Sequence, residues 1–322
     1  MLNLSFLQQI LTRYGMSTYT ILGNIGNLLN MIIFYQFKHR KNPCSIYLLS
    51  MTICNLICLN IGTIPIILSS DFPDIRTQYL FICKIQFYIR HTTNQMMRTY
   101  KVLACIDRFA LSSTHITIRS FSQYNISIRL IIITGIFWLI IGLFFSFIRS
   151  IKISLCSIHN DSYFLIYTIY YMISAGILPP ILILIFSILL MKNLKEMRAH
   201  IHCLRQRRNE KIRPINILRK RDRDLMKMVL VEVMFYVIST LPFSIYLIYR
   251  MITNDKMKSE KQNQMELFIN YLTQSFMMYL NTVLPFYIYI TTSTAFRRQC
   301  KKVIIKFYRF IRRNKYKKSY FI

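Results

Sequence analysis

Arg90, Asn94, Lys101 and Arg108 recur within one largely apolar stretch of the chain. At about 3.6 residues per turn they fall close to a single helical stripe, which puts Arg90 roughly 27 Å from Arg108 along the axis at about 1.5 Å per residue. Glu232 is a second isolated charge inside an apolar run. Such charges are costly in an apolar setting unless they are paired or turned toward a polar interior. Asp107, next to Arg108, and Asp222, within the basic run Arg219 to Asp224, are the acids available to that arginine; a solvated role for Asp222 stays open. The chemistry on offer is therefore that of ion pairs. No HExxH motif, phosphate loop or Gly-x-Ser-x-Gly elbow occurs, and no Cys/His spacing suits zinc, so neither an enzyme nor a cofactor nor a metal is expected. Cys44, Cys54, Cys58 and Cys105 read as small core residues.

The elements that must carry these residues follow from composition. Of 322 residues, 54% are hydrophobic and 17% charged, with a formal net charge of +30. That excludes a disordered chain and disfavours a water-soluble domain. The basic residues lie between apolar stretches long enough to cross a bilayer, at roughly 20 residues each, so the charge is not read as nucleic-acid binding. Seven stretches qualify: 16–37, 44–68, 80–110, 130–149, 164–191, 225–252 and 266–292. Each is predicted to be a helix, because backbone groups in lipid must be satisfied within the segment. The fold class is an all-α membrane protein, a seven-transmembrane helix bundle. Of the 42 Lys and Arg residues, 30 fall on one side of these spans. The positive-inside rule makes residues 1–15 an extracellular amino terminus, 16–292 the bundle and 293–322 a cytoplasmic segment. Met1 to Tyr14 lacks the marks of a cleavable signal peptide, so the first span is expected to act as the anchor.

Beyond the seventh span, Phe296, Cys300, Val303, Ile304, Phe307 and Ile311 recur at helical spacing between Arg297, Arg298, Lys301, Lys302 and Lys306. This predicts an amphipathic eighth helix on the inner leaflet, held by anionic lipid. Cys300 is either palmitoylated or an unmodified thiol. Cys83 and Cys156 both fall on the outer side, where disulfides persist. Asn3 and Asn160 begin outer-side glycosylation sequons.

The chain resembles the rhodopsin-like (class A) G-protein-coupled receptors. The likeness rests on the 25-residue interval from Cys83 to Arg108 in Asp107-Arg108-Phe109, on Gly26-Asn27, on Trp138, and on Pro179-Pro180, Pro242 and Pro285 in the fifth, sixth and seventh spans. The resemblance implies a disulfide between Cys83 and Cys156, and a latch in which Arg108 is held by Asp107 and Asp222 until the sixth helix swings outward. It implies hinges at Pro180, Pro242 and Pro285, although a packing role for the kinks stays open. It also places Arg90, His91 and Asn94 in the ligand cavity, where a cation argues against amines. Arg90 then binds an anionic group or pairs with an outer acid such as Asp161. Lys101 and Glu232 occupy positions that are apolar in the family, which suggests a core ion pair, against separate snorkelling. Asn27, Asn55 and Asn281 are candidates for one polar cluster.

Departures are equally legible. Asn55 stands where relatives carry a sodium-binding aspartate, Thr240 replaces a tryptophan before Pro242, and the seventh span reads Leu284-Pro285-Phe286-Tyr287-Ile288-Tyr289. The resemblance implies a plasma-membrane receptor for an extracellular ligand, a peptide by likeness to divergent invertebrate neuropeptide receptors of the FMRFamide-receptor-like group, acting on a heterotrimeric G protein. Residues 266–292 offer no lysine for a retinal Schiff base. A receptor-shaped protein that no longer signals, or a transporter or channel, remains the alternative.

Overall fold

The computed structural model describes residues 4–35, 42–152, 155–158, 160–208, 213–253 and 258–319. Among these, seven long helical rods and an eighth helix dominate. The first rod runs through Leu4–Ile10, a π-helical turn at Leu11–Met16 and Ser17–Tyr35. The second is Pro43–Leu68, the third Leu80–Ser112 and the fourth Tyr124–Phe147. The fifth joins Asp161–Tyr171, a π-helical turn at Met172–Ile177 and Leu178–Arg208. The sixth is Arg213–Ile252; the seventh joins Glu260–Asn270, a π-helical turn at Tyr271–Met277 and Met278–Thr292; the eighth helix is Thr294–Ser319. Between the fourth and fifth lies a two-stranded antiparallel hairpin, Ser150–Lys152 with Leu155–Ser157, which marks one end of the bundle.

The rods differ from the sequence expectation at their ends. The first begins at Leu4, inside the segment expected as an extracellular terminus. It is tied down there by a 2.6 Å hydrogen bond between the Thr12 and Tyr271 hydroxyls and a 3.1 Å ion pair from Arg13 to Asp71. The fifth and sixth run well past their apolar stretches, as Lys, Arg and Glu are good helix formers whether or not lipid surrounds them. The seventh starts at Glu260, behind a capping box in which Ser259 and Gln262 satisfy each other's backbone N–H.

Four of the described helices are long and apolar enough to cross a membrane on composition alone. The third is not among them, yet it is the hub of the bundle: the second, fourth and fifth rods all pack on it. It buries Arg98, Lys101, Asp107 and Arg108, so its polar side chains face the interior and not lipid. The fourth rod is the converse. It exposes Ile132, Ile133, Ile136, Phe137 and Ile140 outward and presents Gly135 and Gly142 to its neighbour. A Cβ at Gly142 would sit 2.2 Å from the Thr92 methyl, so only glycine lets the two backbones approach this closely.

Candidate functional site

The candidate site extends along the third helix from the hairpin end to the opposite end. At the hairpin end a cavity of about 510 Å³ opens between the third, fifth, sixth and seventh rods, beneath the second strand. Cys156 in that strand is disulfide-bonded to Cys83 in the first turn of the third helix, with Cα atoms 6.0 Å apart. The bond fixes the hairpin across the mouth. Arg90 lines the cavity and donates to the Tyr279 hydroxyl at 3.4 Å. Gly62 is the reason Tyr279 reaches it, since a Cβ there would lie 2.2 Å from the tyrosine ring. His91 is buried, stacks on Phe87 at 5.1 Å and lies 2.9 Å from the Tyr170 hydroxyl. Asn94 borders a narrow cleft that continues inward past Arg90 to Arg98. Asn160 is exposed and caps the fifth helix through a 3.2 Å bond from the Tyr163 N–H. Asn3 lies outside the described residues.

In the middle of the bundle Lys101 Nζ lies 2.6 Å from Glu232 Oε1, both side chains 4% exposed. The other carboxylate oxygen accepts from the Tyr289 hydroxyl at 3.0 Å. The third, sixth and seventh rods are thus joined through one carboxylate. Tyr289, one position later than the family's tyrosine, points inward, while Tyr287 turns outward and donates to the Leu22 carbonyl.

The proposed asparagine cluster does not form. Asn27 donates to the Gly23 and Thr282 carbonyls, and Asn281 donates to Thr240 Oγ1 at 3.2 Å. The amide of Asn55 is fully buried without a hydrogen-bond partner among the described residues. Asn281 faces the sixth rod, where Thr240, standing in place of a bulky indole, supplies a hydroxyl.

At the far end Arg108 Nη2 donates to Asp107 Oδ2 at 2.8 Å and to Asn42 Oδ1 at 2.7 Å. Ser122 donates to the other Asp107 oxygen at 2.7 Å. The triad is therefore buttressed by the start of the second rod and the loop before the fourth. The side chain of Asp222 lies outside the described residues.

The helical prolines carry a feature the sequence pattern did not expose. Proline lacks an N–H, so the carbonyl one turn earlier loses its intrahelical donor. Pro65 releases the Ile61 carbonyl, which accepts from Gln86 Nε2 at 3.0 Å. Pro179 and Pro180 release the Ala175 carbonyl, in either an α or a π register, and it accepts from the Tyr236 hydroxyl. Beside Pro285, the Thr282 carbonyl accepts from Asn27. Pro242 lies inside the sixth helix, one residue before Phe243, which with Tyr246 and Arg250 lines the hairpin-end cavity.

Phe296, Cys300 and Val303 pack the eighth helix onto the bundle, and Phe296 touches the rings of Phe34, Phe286 and Tyr289. Cys300 is 4% exposed, and burial pushes its thiol pKa up from the ordinary value. A lipid chain on this sulfur would require the helix to lift. Ile304 is exposed, while the side chains of Phe307 and Ile311 lie outside the described residues.

Residues missed from sequence are Arg149 and Arg250 in the cavity wall, Asn42 beside Arg108, and Tyr289 on Glu232. Only the last had a signal: a tyrosine four residues after Pro285, on an otherwise apolar face. Compared with known proteins, residues 26–289 match the family of 7 transmembrane receptors described as the rhodopsin family. Among curated proteins none matches the chain.

Proposed function

The chain belongs to the rhodopsin family of seven-transmembrane receptors, and from that membership we propose that it binds an extracellular peptide at the hairpin end and activates a heterotrimeric G protein at the Arg108 end. It is a multi-pass membrane protein of a family of non-enzymatic signalling receptors. In the proposal it works at the plasma membrane, with its amino terminus outside.

The observation that carries the reading is continuity along one helix. The third rod has Arg90 in an open, polar-lined cavity, Lys101 in a buried tie to the sixth and seventh rods, and Arg108 clamped at the far end. A ligand that draws the sixth rod inward beside Phe243, Tyr246 and Arg250 works against the Glu232 tie on the same rod. Glu232 and Arg108 then respond to one motion, as in two-state helix movements that ligand binding biases. A peptide is favoured because the cavity is large, opens at the mouth and carries Asn263, Asn270, Gln274 and Glu266 along one wall. The exposed Arg297, Arg298, Lys301 and Lys302 on the eighth helix suit anionic inner-leaflet lipid.

Replacing Arg108 with alanine tests the coupling. In cells carrying a promiscuous G-protein reporter and screened with peptide and small-molecule libraries, activation disappears while the receptor remains at the surface. Activation undiminished by Arg108→Ala overturns the proposal, and ligand-independent ion flux would favour a channel. A reporter silent to every ligand points to a receptor-shaped protein that does not signal. The specific observation favouring that second reading is the buried Lys101–Glu232 pair, which holds the third and sixth rods together.

A further inference from the structure

The hairpin-end cavity holds two acids and four arginines in its wall, and both acids are engaged. Asp74 is paired with Arg76 at 2.5 Å, and Glu266 accepts from Lys258 at 2.7 Å and from Tyr249 at 2.9 Å. The remaining three cations, Arg90, Arg149 and Arg250, make no ion pair among the described residues. Their partners are neutral. Arg149 donates to the Cys156 carbonyl at 3.1 Å and stacks on the Phe87 ring at 3.6 Å. Arg90 lies 5.9 Å from the same ring, and Arg250 lies over Phe164 at 4.9 Å. Arg149 is 9% exposed and its Nε has no hydrogen-bond partner among the described residues. It also lies within Coulombic range of both Arg90 and Arg250, which repel it. Three like charges held together by aromatic faces and neutral oxygens, with donors left unused, are electrostatically incomplete.

We infer that the peptide ligand carries its carboxylates, a free terminal carboxyl or acidic side chains, into this cavity, where Arg90, Arg149 and Arg250 receive them. The inference rests on the receptor reading above and adds the ligand's charge to it. Guanidinium donors match carboxylate oxygens in a fork, and Phe87 fixes two of those guanidiniums so that little side-chain freedom is lost on binding. The disulfide-tethered strand contributes to the same end, because the carbonyl that orients Arg149 belongs to Cys156. A ligand with a basic, amidated end meets repulsion at this wall.

The test uses the full chain in neutral-lipid nanodiscs and hexapeptide libraries synthesised in parallel as free acids and as amides, with lysophosphatidic acid as a non-peptide anion. The midpoint of thermal unfolding reads binding, and G-protein activation in cells reads signalling. Free acids are expected to raise the midpoint and their amides to fail. Arg149→Gln and Arg90→Gln, each checked for surface expression, should raise the half-saturating concentration about ten- to a hundredfold, the effect of losing a hydrogen bond to a charged group. Arg149→Lys should recover part of the loss, which a folding defect would not reproduce in the same pattern. Arg250→Gln provides a variant at a less buried position. Equal shifts from acids and amides overturn the inference. So do shifts unchanged in all three glutamine variants, or stabilisation by the lysophospholipid alone. Acid-dependent binding without activation upholds the inference while sinking the coupling reading, and activation by amides as strong as by acids does the reverse.

Discussion

Glu232 illustrates how one residue changes the mechanics of a bundle. A carboxylate in the middle of a membrane protein is costly alone, and here it is shared between Lys101 and Tyr289, with all three side chains buried. Removing one partner leaves the other charge uncompensated, a loss of about 3–5 kcal/mol for buried pairs. Glu232→Gln is therefore expected to lower the midpoint of thermal unfolding and, by freeing the sixth rod, to raise ligand-independent signalling. The exchange Lys101→Glu with Glu232→Lys should recover much of the stability lost by either change alone. If the double variant is no better than the worse single one, the two charges do not act as a pair. Lys101 and Glu232 could be proposed as partners from their positions, whereas Tyr289 required the rotation of the seventh rod to be known.

At the scale of elements, the carbonyls left open by the prolines in the second and fifth rods are each served by a side chain from a neighbouring rod. Gln86 serves Ile61 and Tyr236 serves Ala175. Interhelical hydrogen bonds of this kind contribute about 1 kcal/mol. Gln86→Leu should cost about that much in the wild-type background and close to nothing once Pro65→Ala restores the helical donor. A double-mutant cycle on thermal midpoints measures the coupling, and strict additivity would show that the glutamine serves some other purpose. The prolines were visible as sequence features. Their helpers were not, because a glutamine one rod away carries no mark of which carbonyl it faces.

For the whole molecule, the disulfide is the tether that sets the mouth of the cavity. It closes a separation of 73 residues, across the whole of the third and fourth rods. Cys83→Ser is expected to cost about 2–4 kcal/mol, the usual range for a native bridge. It should also weaken acidic-peptide binding, since the Arg149 guanidinium loses its fixed carbonyl. Paired measurements of thermal midpoint and half-saturating peptide concentration check both effects. A stable Cys83→Ser receptor with unaltered peptide binding would show that the hairpin is not part of the ligand site.

Helix number, their apolar character and the interior facing of the third rod's charges were all readable in the chain, because lipid forces backbone groups to pair within a segment and forces charges inward. The Asp107-Arg108 motif and the pairing of Cys83 with Cys156 were readable through the resemblance to the family, whose signature residues are matched along one or two segments. Apart from the Lys101–Glu232 pair, which polar side chains meet was decided only by tertiary structure. Asn27, Asn55 and Asn281 looked like one cluster, but Asn27 and Asn281 turn to different partners and Asn55 has none among the described residues. Arg149 and Arg250, distant in sequence, converge with Arg90 on one cavity. Pairing between rods depends on their mutual rotation and depth, and close-approach glycines such as Gly62 and Gly142 set these through contacts far apart in the sequence.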